Sequence, residues 1–291
     1  MPEHQFEIVT DSTCDLPVSE LEAKGVTVVP LYVMFGTETL RDQFDLTSEQ
    51  FYDRMLASPV LPRSSQPSPE DFIAAYGGLV SKGAKAILSL HIAGALSGTV
   101  QSAGVAAGQV DAEVVAYDTR KVAMCHGLMV LEAMRMRDAG ETLAATVEHL
   151  DAIRPYVRFL AVPDTLDNLV KNGRLPQAVG TATALLDIKI QLSDDDEGNL
   201  VPAHKAKGLK RALRYCVRDV ESHRPKGDAI RVSLLQARNR KGCKQLLSMV
   251  EEAGYKVDLV GTFDAGPVIT THGGIGLVAM GYLPSSLAYQ A

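Results

Sequence analysis

The sequence predicts an α/β protein of two domains, an N-terminal Rossmann-like domain with a parallel sheet and a C-terminal α/β domain with a mixed sheet. Its 291 residues exceed the usual size of a single hydrophobic core. In the first half, short runs rich in β-branched residues alternate with amphipathic segments, as they do in sheets with helical crossovers. In the second half, an acidic turn separates two such runs, which is typical of an antiparallel hairpin.

The first half contains the strand-like runs FEIVT, VTVVPLYVM, AKAILSLH and AEVVAY. Helix starts are marked between them. Thr47 and Gln50 form a capping-box pattern. Ser68 supplies a second cap, and Pro69 and Asp71 after it supply a preset φ and a carboxylate at the positive end of the helix dipole. The polar stretch SSQPSPEDF is therefore predicted as a loop that enters a helix, and such a loop is a helix cap, a ligand receptor, or both.

The second half contains the strand-like runs RFLAVP, DIKIQLS, NLVPAHKA, AIRVSLLQA and YKVDLVGTF. The turn SDDDEGN joins the second and third of these runs as an antiparallel pair. Two long helical patterns end at Pro155, and a strand-like run follows it. We therefore place the domain boundary loosely at this proline, which gives domains 1–155 and 156–291, with segments that are able to cross between them.

Composition and charge exclude several classes of protein. The 35 acidic residues outnumber the 29 Lys and Arg, and the net charge of −6 disfavours a broad nucleic-acid-binding surface. The sequence has neither an apolar run of membrane-span length nor the basic and apolar regions of a secretory signal, so we expect a cytoplasmic protein. Four cysteines without a C-x-x-C pair favour reduced thiols. Seven histidines without H-E-x-x-H or a close pair predict that no metal centre is present.

A glycine-rich segment near the C-terminus resembles a nucleotide-binding motif. Gly274–Ala279 reads GIGLVA and matches G-x-G-x-x-A. Only 12 residues follow Ala279, so a dinucleotide-binding unit has no room for its next strand or its acidic residue. The sequence also lacks the G-x-x-x-x-G-K-[ST] pattern of a P-loop. We therefore expect a glycine-rich ligand loop here and no nucleotide cofactor.

Ser97, Asp164 and His272 occur in the chain order of an α/β-hydrolase triad. The glycines around Ser97 stand at minus three and plus one, whereas a nucleophile elbow needs them at minus two and plus two. A serine hydrolase that acts on lipid-like esters with Ser97 and His272 is therefore the alternative function. Plainer interpretations also exist, because Ser97 could simply cap the helix that starts near Thr99, and His272 could be satisfied within a turn.

Five motifs in series give the sequence a specific resemblance. These are VTDSTCDLP at 9–17, SSQPSP at 64–69, HIAGALSGTVQSA at 91–103, DTLDNLVKNGRL at 164–175 and THGGIG at 271–276. Together they resemble the DegV family of bacterial fatty-acid-binding proteins, some of which are the lipid-presenting subunit of a fatty acid kinase. The resemblance implies two α/β domains with a long-chain fatty acid buried between or beneath them. It also implies a carrier that is not itself an enzyme, and no cofactor besides the bound fatty acid.

The resemblance also assigns site residues. Those implied to bind the ligand are Ser64, Ser65, Ser97, Gly98, Thr99, Arg174, His272 and Gly273, with Asp11 and Ser12 behind them. In this interpretation the polar loop at 64–69 hydrogen-bonds or encloses the carboxylate of the fatty acid. The sequence departs from the family pattern at Ala93 and Gly94, where serines are common, and at Ile190 and Ile275, where prolines are usual.

The implied partners are a long-chain fatty acid and the catalytic protein of a fatty acid kinase. The basic stretch KAKGLKRALR matches the family's candidate region for kinase docking and includes Lys207, Lys210 and Arg211, with lysine at 207 where arginine is common. Transient contacts with a membrane or with acyl-transfer enzymes are further implied, and no nucleic acid is expected.

Overall fold

The computed structural model describes residues 4–177 and 187–290. The strands are β1 (Glu7–Asp11), β2 (Val26–Val29), β3 (Tyr32–Phe35), β4 (Glu38–Arg41), β5 (Arg63–Ser65), β6 (Ala86–His91), β7 (Glu113–Asp118), β8 (Arg158–Val162), β9 (Ile188–Asp194), β10 (Leu200–Lys207), β11 (Ala229–Gln236), β12 (Lys256–Asp264) and β13 (Val278–Pro284). The α-helices are α1 (Val18–Ala23), α2 (Ser48–Ala57), α3 (Pro69–Val80), α4 (Thr99–Ala107), α5 (Met124–Asp138), α6 (Leu143–Ile153), α7 (Asp167–Lys171), α8 (Leu209–His223), α9 (Arg240–Glu252) and α10 (Pro267–Gly273). Two short 3-10 helices occupy Ser12–Cys14 and Arg154–Tyr156.

The N-terminal half is built on a parallel four-stranded sheet of order β2-β1-β6-β7. Helices α3 and α4 pack together on this sheet. The predicted helix starts are confirmed, since Thr47 and Gln50, and likewise Ser68 and Asp71, form complete capping boxes. Because the carboxyl ends of parallel strands meet at one edge, the loops after β1 and β6 lie close together. The sheet thereby confirms the predicted Rossmann-like arrangement.

The C-terminal half is built on a six-stranded mixed sheet of order β10-β9-β8-β13-β11-β12. Only β11 and β12 pair in parallel, and the predicted hairpin β9-β10 is antiparallel. Strand β13, which is buried at every position, was not predicted from the sequence. The preceding glycines were predicted to form a loop, and a strand buried on both faces lacks the alternation that identifies most strands.

Two local predictions were wrong. The run VTVVPLYVM is two strands in different sheets, because Pro30 has no backbone N–H to continue a ladder. Ser64 and Ser65 belong to β5 and pair with β3, so they are not in a free loop. The sheet β4-β3-β5 lies against α10, which gives these two serines a fixed backbone.

Helix α5 joins the two halves of the core. It contacts β1 of the parallel sheet and β11 and β13 of the mixed sheet. Buried side chains therefore surround nearly its whole length, and one hydrophobic cluster extends across both halves. The domain boundary near residue 155 stays a prediction. Within 4–177 and 187–290, the helices are too short or too polar to cross a bilayer.

Candidate functional site

A cavity of about 290 Å³ lies where the two halves meet. Its wall is formed by β5, the loops after β2 and β6, the region around α7, the start of β10, and α10. The lining residues are Leu31, Ser64, Ser65, Gln66, Ile92, Leu96, Ser97, Val122, Leu169, Arg174, Leu200, Val268, Ile269 and His272. Polar groups from four distant segments therefore converge at one site, and hydrophobic side chains supply the rest of the wall.

The cavity has an apolar neighbour that shares part of its wall. Val122, Leu169, Leu200, Ile269 and His272 line both spaces. The second space is narrow, about 50 Å³, and its remaining wall is almost entirely hydrophobic. That wall consists of Ala123, Phe159, Ala161, Pro163, Leu192, Leu235, Gly273, Leu277 and Ala279. The site therefore has a polar end and an apolar end.

His272 stands on the last turn of α10 and contacts Ser64. The Ser64 hydroxyl and His272 Nε2 are 2.7 Å apart, whereas the buried Nδ1 has no hydrogen-bond partner among the described residues. Burial, reinforced by the nearby positive charge of Arg174, lowers the pKa of His272 to about 3. The imidazole is therefore neutral at physiological pH and has one proton to donate. If that proton is on Nδ1, the histidine donates to a ligand while Nε2 accepts from Ser64.

Arg174 brings a positive charge to the cavity. Its Nε donates to the Leu96 carbonyl at 3.2 Å and its Nη1 to the Asn172 carbonyl at 2.6 Å. No carboxylate pairs with it in the described part of the chain, and burial lowers its pKa. The chain reaches this position through Gly173, whose φ of +73° suits glycine. A partly buried cation without a counter-ion favours an anionic ligand.

Ser97 lines the cavity, but it does not cap α4. Gly98 is the N-cap residue, and the Ser97 and Thr99 hydroxyls lie 2.8 Å apart. Thr99 is buried and does not line the cavity. A Cβ at Gly98 would lie 2.2 Å from Gln66 Oε1, so only glycine allows Gln66 to approach this closely.

Gln66 is a cavity residue that was not predicted as a ligand-binding residue from the sequence. It is exposed and lines the polar end, and its Nε2 donates to Ser102 Oγ at 3.1 Å. Ser65 beside it is also exposed and lines the cavity, and its hydroxyl donates to the Gln66 carbonyl at 3.2 Å. The polar end of the cavity therefore reaches the protein surface. Gln66 stands within the motif SSQPSP, which was the only signal for it.

Asp11 and Ser12 lie behind the cavity wall. Asp11 accepts the backbone N–H of Ile92, a cavity residue, and the Nδ1 proton of His91, each at 3.0 Å. Burial raises the pKa of Asp11, but His126 and His91 outweigh this and lower it to about 2. Asp11 therefore stays ionised and fixes the end of β6. Gly273 lines the apolar space instead, where a Cβ would lie 2.9 Å from Leu277.

The positions that depart from the family pattern have structural roles. Ala93 is fully buried, and the turn at Gly198 packs on it so closely that a Cβ at 198 would lie 2.7 Å away. Ile190 is a core residue of β9, and Ile275 packs at the edge of the core. Neither these three side chains nor Gly94 is among the residues that line the cavity.

The hydrolase alternative does not have the required geometry. Ser97 contacts Thr99 and His272 contacts Ser64, while the exposed Asp164 pairs with Lys189. Ser97, His272 and Asp164 are therefore not joined to one another in a relay. Within the described ranges, no group of three or more His, Cys, Asp or Glu is arranged to hold a metal ion.

The basic residues of the second half form a groove of about 350 Å³ between β10 and α8. Lys207 and Arg211 line it, whereas Lys210, on the first turn of α8, is not among its lining residues. The other lining residues are Lys205, Ala206, Arg214, Tyr215 and Arg218. The His204 ring stacks on Tyr215 at 4.3 Å between ring centres. We call this surface the basic groove.

Comparison with known proteins identifies the family. The model of the family described as "Uncharacterised protein, DegV family" matches residues 5–285. A DegV domain-containing protein from Deinococcus radiodurans is 35% identical over 283 residues, which cover 96% of this chain and 98% of that protein. Among solved structures, a fatty-acid-binding DegV family protein from Thermus thermophilus has a TM-score of 0.89 at 32% identity, covering 96% of this chain and 99% of that one. The Fatty Acid Kinase B3 protein of Streptococcus pneumoniae, loaded with linoleic acid, has a TM-score of 0.85 at 25% identity. The match covers 97% of this chain and 100% of that one. The chain described here belongs to the DegV family.

Proposed function

We propose that this protein binds a long-chain fatty acid and presents its carboxylate to a separate kinase. One observation carries the proposal: a guanidinium that has no counter-ion within residues 4–177 and 187–290, a neutral imidazole and three serine hydroxyls form one end of a cavity whose neighbouring space is hydrophobic. This combination matches an anionic head group with an aliphatic tail. The fatty-acid-binding relative from Thermus thermophilus supports the same ligand class.

The polar end fixes the orientation of the ligand. Arg174 supplies the charge, while Ser64, Ser97 and His272 supply hydrogen-bonding groups. A hydrogen bond to a charged group contributes about 1.5–3 kcal/mol. These contacts therefore select which end of the ligand lies near the surface, and they disfavour a neutral alcohol or ester of equal length.

Burial of the tail supplies most of the affinity. About 15 methylenes at roughly 0.8 kcal/mol each give on the order of 12 kcal/mol before costs, and association costs about 4–15 kcal/mol. The space beyond the cavity is narrow, about 50 Å³. A full-length tail therefore enters by displacing side chains such as Leu192 and Leu277. The longest fatty acid that the protein binds is set by how far these side chains move.

Access from the surface suits transfer to a kinase. Ser65 and Gln66 are exposed beside the polar end, so a carboxylate held there lies near solvent. Phosphoryl transfer needs an in-line approach to the accepting oxygen, and an exposed head group permits it. The protein itself supplies no nucleotide-binding motif, so the phosphoryl donor is bound by the partner.

The basic groove is the proposed docking surface for that kinase. Leu200, at the start of β10, lines the cavity, and Lys207 ends the same strand. The seven residue steps from Leu200 to Lys207 span about 20–24 Å. A kinase that covers both sites therefore reaches over roughly this distance and carries acidic groups opposite Lys207, Lys210 and Arg211.

Calorimetric titration with a C16 or C18 fatty acid tests the ligand assignment. We expect Arg174→Ala to weaken binding by about 10–100-fold, because a charge-assisted contact is lost. Arg41→Ala is the control, since Arg41 is exposed and pairs with Asp45 outside the cavity lining. Equal affinities for the two variants would remove Arg174 from the head-group site, and a wild-type protein that binds no fatty acid would refute the proposed function.

A further inference from the structure

Two buried carboxyl groups hold the amino end of the helix that carries His272. The backbone N–H of Gly266 donates to Asp15 Oδ1 at 2.8 Å, and that of Val268 donates to Asp42 Oδ1 at 3.1 Å. Asp15 and Asp42 are only 3% and 1% exposed. Asp15 follows the 3-10 helix after β1, and Asp42 follows β4. Two segments from the start of the chain therefore clamp α10.

The two carboxyl groups converge on a single backbone position. A Cβ at Gly266 would lie 3.0 Å from Asp15 Oδ1 and 3.3 Å from Asp42 Oδ1. Glycine at this position lets both oxygens reach the start of α10. Because α10 has only seven residues, a displacement of its first turn also moves His272 on its last turn.

The hydrogen bonds of the pair differ between the two side chains. Both oxygens of Asp42 accept hydrogen bonds, Oδ1 from the Val268 N–H and Oδ2 from the Ser12 hydroxyl at 2.6 Å. Asp15 Oδ2 has no partner among the described residues. The charge of an ionised Asp42 is therefore compensated at both oxygens, whereas that of an ionised Asp15 is compensated at one. Burial raises the pKa of Asp42 to about 7 and that of Asp15 well above its ordinary value, and the charge of Asp11 acts in the same direction on both.

The other titratable groups around the pair do not neutralise it. Asp11 is ionised, because its pKa is about 2. Cys14 and Tyr52 are neutral, because burial raises the pKa of each. Neither Asp15 nor Asp42 forms an ion pair with Lys or Arg in the described ranges. Both carboxyl groups lie beside Gly266, and two buried carboxylates there cannot both ionise without cost, so the pair keeps at least one proton near neutral pH.

We propose that Asp15 and Asp42 are positioning residues for His272, and that the proton kept by this pair sets how α10 presents the imidazole to the ligand. With one proton, the pair holds the amino end of α10 and the Ser64–His272 contact forms. Without it, two buried charges repel each other and the clamp loosens. The expected effect on fatty-acid affinity rests on the proposed function. The coupling between the carboxyl pair and His272 does not depend on it.

Nitrogen chemical shifts of the histidines test this coupling in the full-length, delipidated protein. His272 is assigned by comparison with His272→Gln and followed between pH 5.5 and 9. We expect its ring nitrogens to shift with a midpoint at neutral or alkaline pH even though its own pKa is about 3. We expect Asp42→Asn or Asp15→Asn to remove this midpoint or move it by about one pH unit or more. Asp45→Asn, which changes an exposed carboxylate paired with Arg41, should leave it in place.

The absence of a midpoint in the wild-type protein would overturn the proposal, as would a midpoint unchanged in both Asp15→Asn and Asp42→Asn. The wild-type titration alone can refute the proposal, so the test stays decisive even if an aspartate variant fails to fold.

Affinity for a long-chain fatty acid gives the second measurement. A free carboxylic acid is already ionised above about pH 6, so its own charge is constant over the range used. Between pH 6.5 and 8.5 we expect wild-type affinity to fall by about tenfold, and that of Asp15→Asn by less than about threefold. If the wild-type protein and Asp15→Asn lost affinity by the same factor, the positioning role would be contradicted. A protein that binds no fatty acid at any pH would refute the proposed function, while the histidine shifts would still decide whether the pair and His272 are coupled.

Discussion

Ser64→Ala removes the one described hydrogen-bond partner of the His272 imidazole. The Ser64 hydroxyl lies 2.7 Å from His272 Nε2, and the buried Nδ1 has no other partner in the described chain. Leaving a buried polar group unpaired costs about 1–3 kcal/mol. We expect the free energy of unfolding to fall by about this amount, towards the lower end because water in the cavity is able to replace part of the contact. Ser64→Thr keeps the hydroxyl and is the matched variant.

Urea unfolding of the delipidated protein measures this cost, because bound lipid would stabilise the folded state and mask it. The midpoint should fall for Ser64→Ala without a change in m. Fatty-acid affinity should fall by about 10–100-fold, since a hydroxyl near a carboxylate contributes about 1.5–3 kcal/mol. If Ser64→Ala and Ser64→Thr had the same stability and affinity, the Ser64–His272 contact would have neither of the roles assigned to it.

Three further predictions concern other parts of the structure. The pKa of His272 is about 3 in the folded protein against an ordinary 6.5, so the free energy of unfolding falls as the pH is lowered from 6.5 towards 3. Urea unfolding at pH 7 and pH 4.5 should show a smaller loss for His272→Gln than for the wild-type protein. An equal loss in both proteins would contradict the assigned charge state. Lys121→Met leaves Asp194 without its buried partner at 2.6 Å and should cost about 3–5 kcal/mol, most of which Asp194→Asn should restore in the double variant; no recovery would mean that the ion pair is not the cause. Gly281→Ala puts a Cβ 2.7 Å from Cys125 Sγ and should lower the thermal midpoint by an amount equivalent to about 1–3 kcal/mol, whereas Gly104→Ala, which meets no neighbour within 4 Å, should not.

Local chemistry made the helix starts predictable. A capping box needs only residues three positions apart, so Thr47 with Gln50 and Ser68 with Asp71 identified their helices from the sequence. The parallel and mixed sheets were predictable from alternating runs and a hairpin turn. Strand β13 was not, because burial on both faces removes the alternation that distinguishes a strand from a loop with apolar residues.

Long-range contacts were beyond local patterns. Ser64 and His272 are 208 residues apart, and only the family resemblance placed both at one site. Gln66 lies inside one of the family motifs but was given no role there, and Asp42 lies in none of the motifs. Asp42 acts on the backbone of Val268, 226 residues away, and a backbone N–H leaves no trace in the residue type that carries it. The clamp on α10 therefore became visible only in the folded chain.

Organic extraction and mass spectrometry of the purified, natively folded protein test the central claim most directly. The account predicts a stoichiometric long-chain fatty acid in the wild-type extract and a reduced amount from Arg174→Ala prepared in the same way. Wild-type protein that is empty after purification and takes up no fatty acid when one is supplied, or that carries a nucleotide instead, would contradict it.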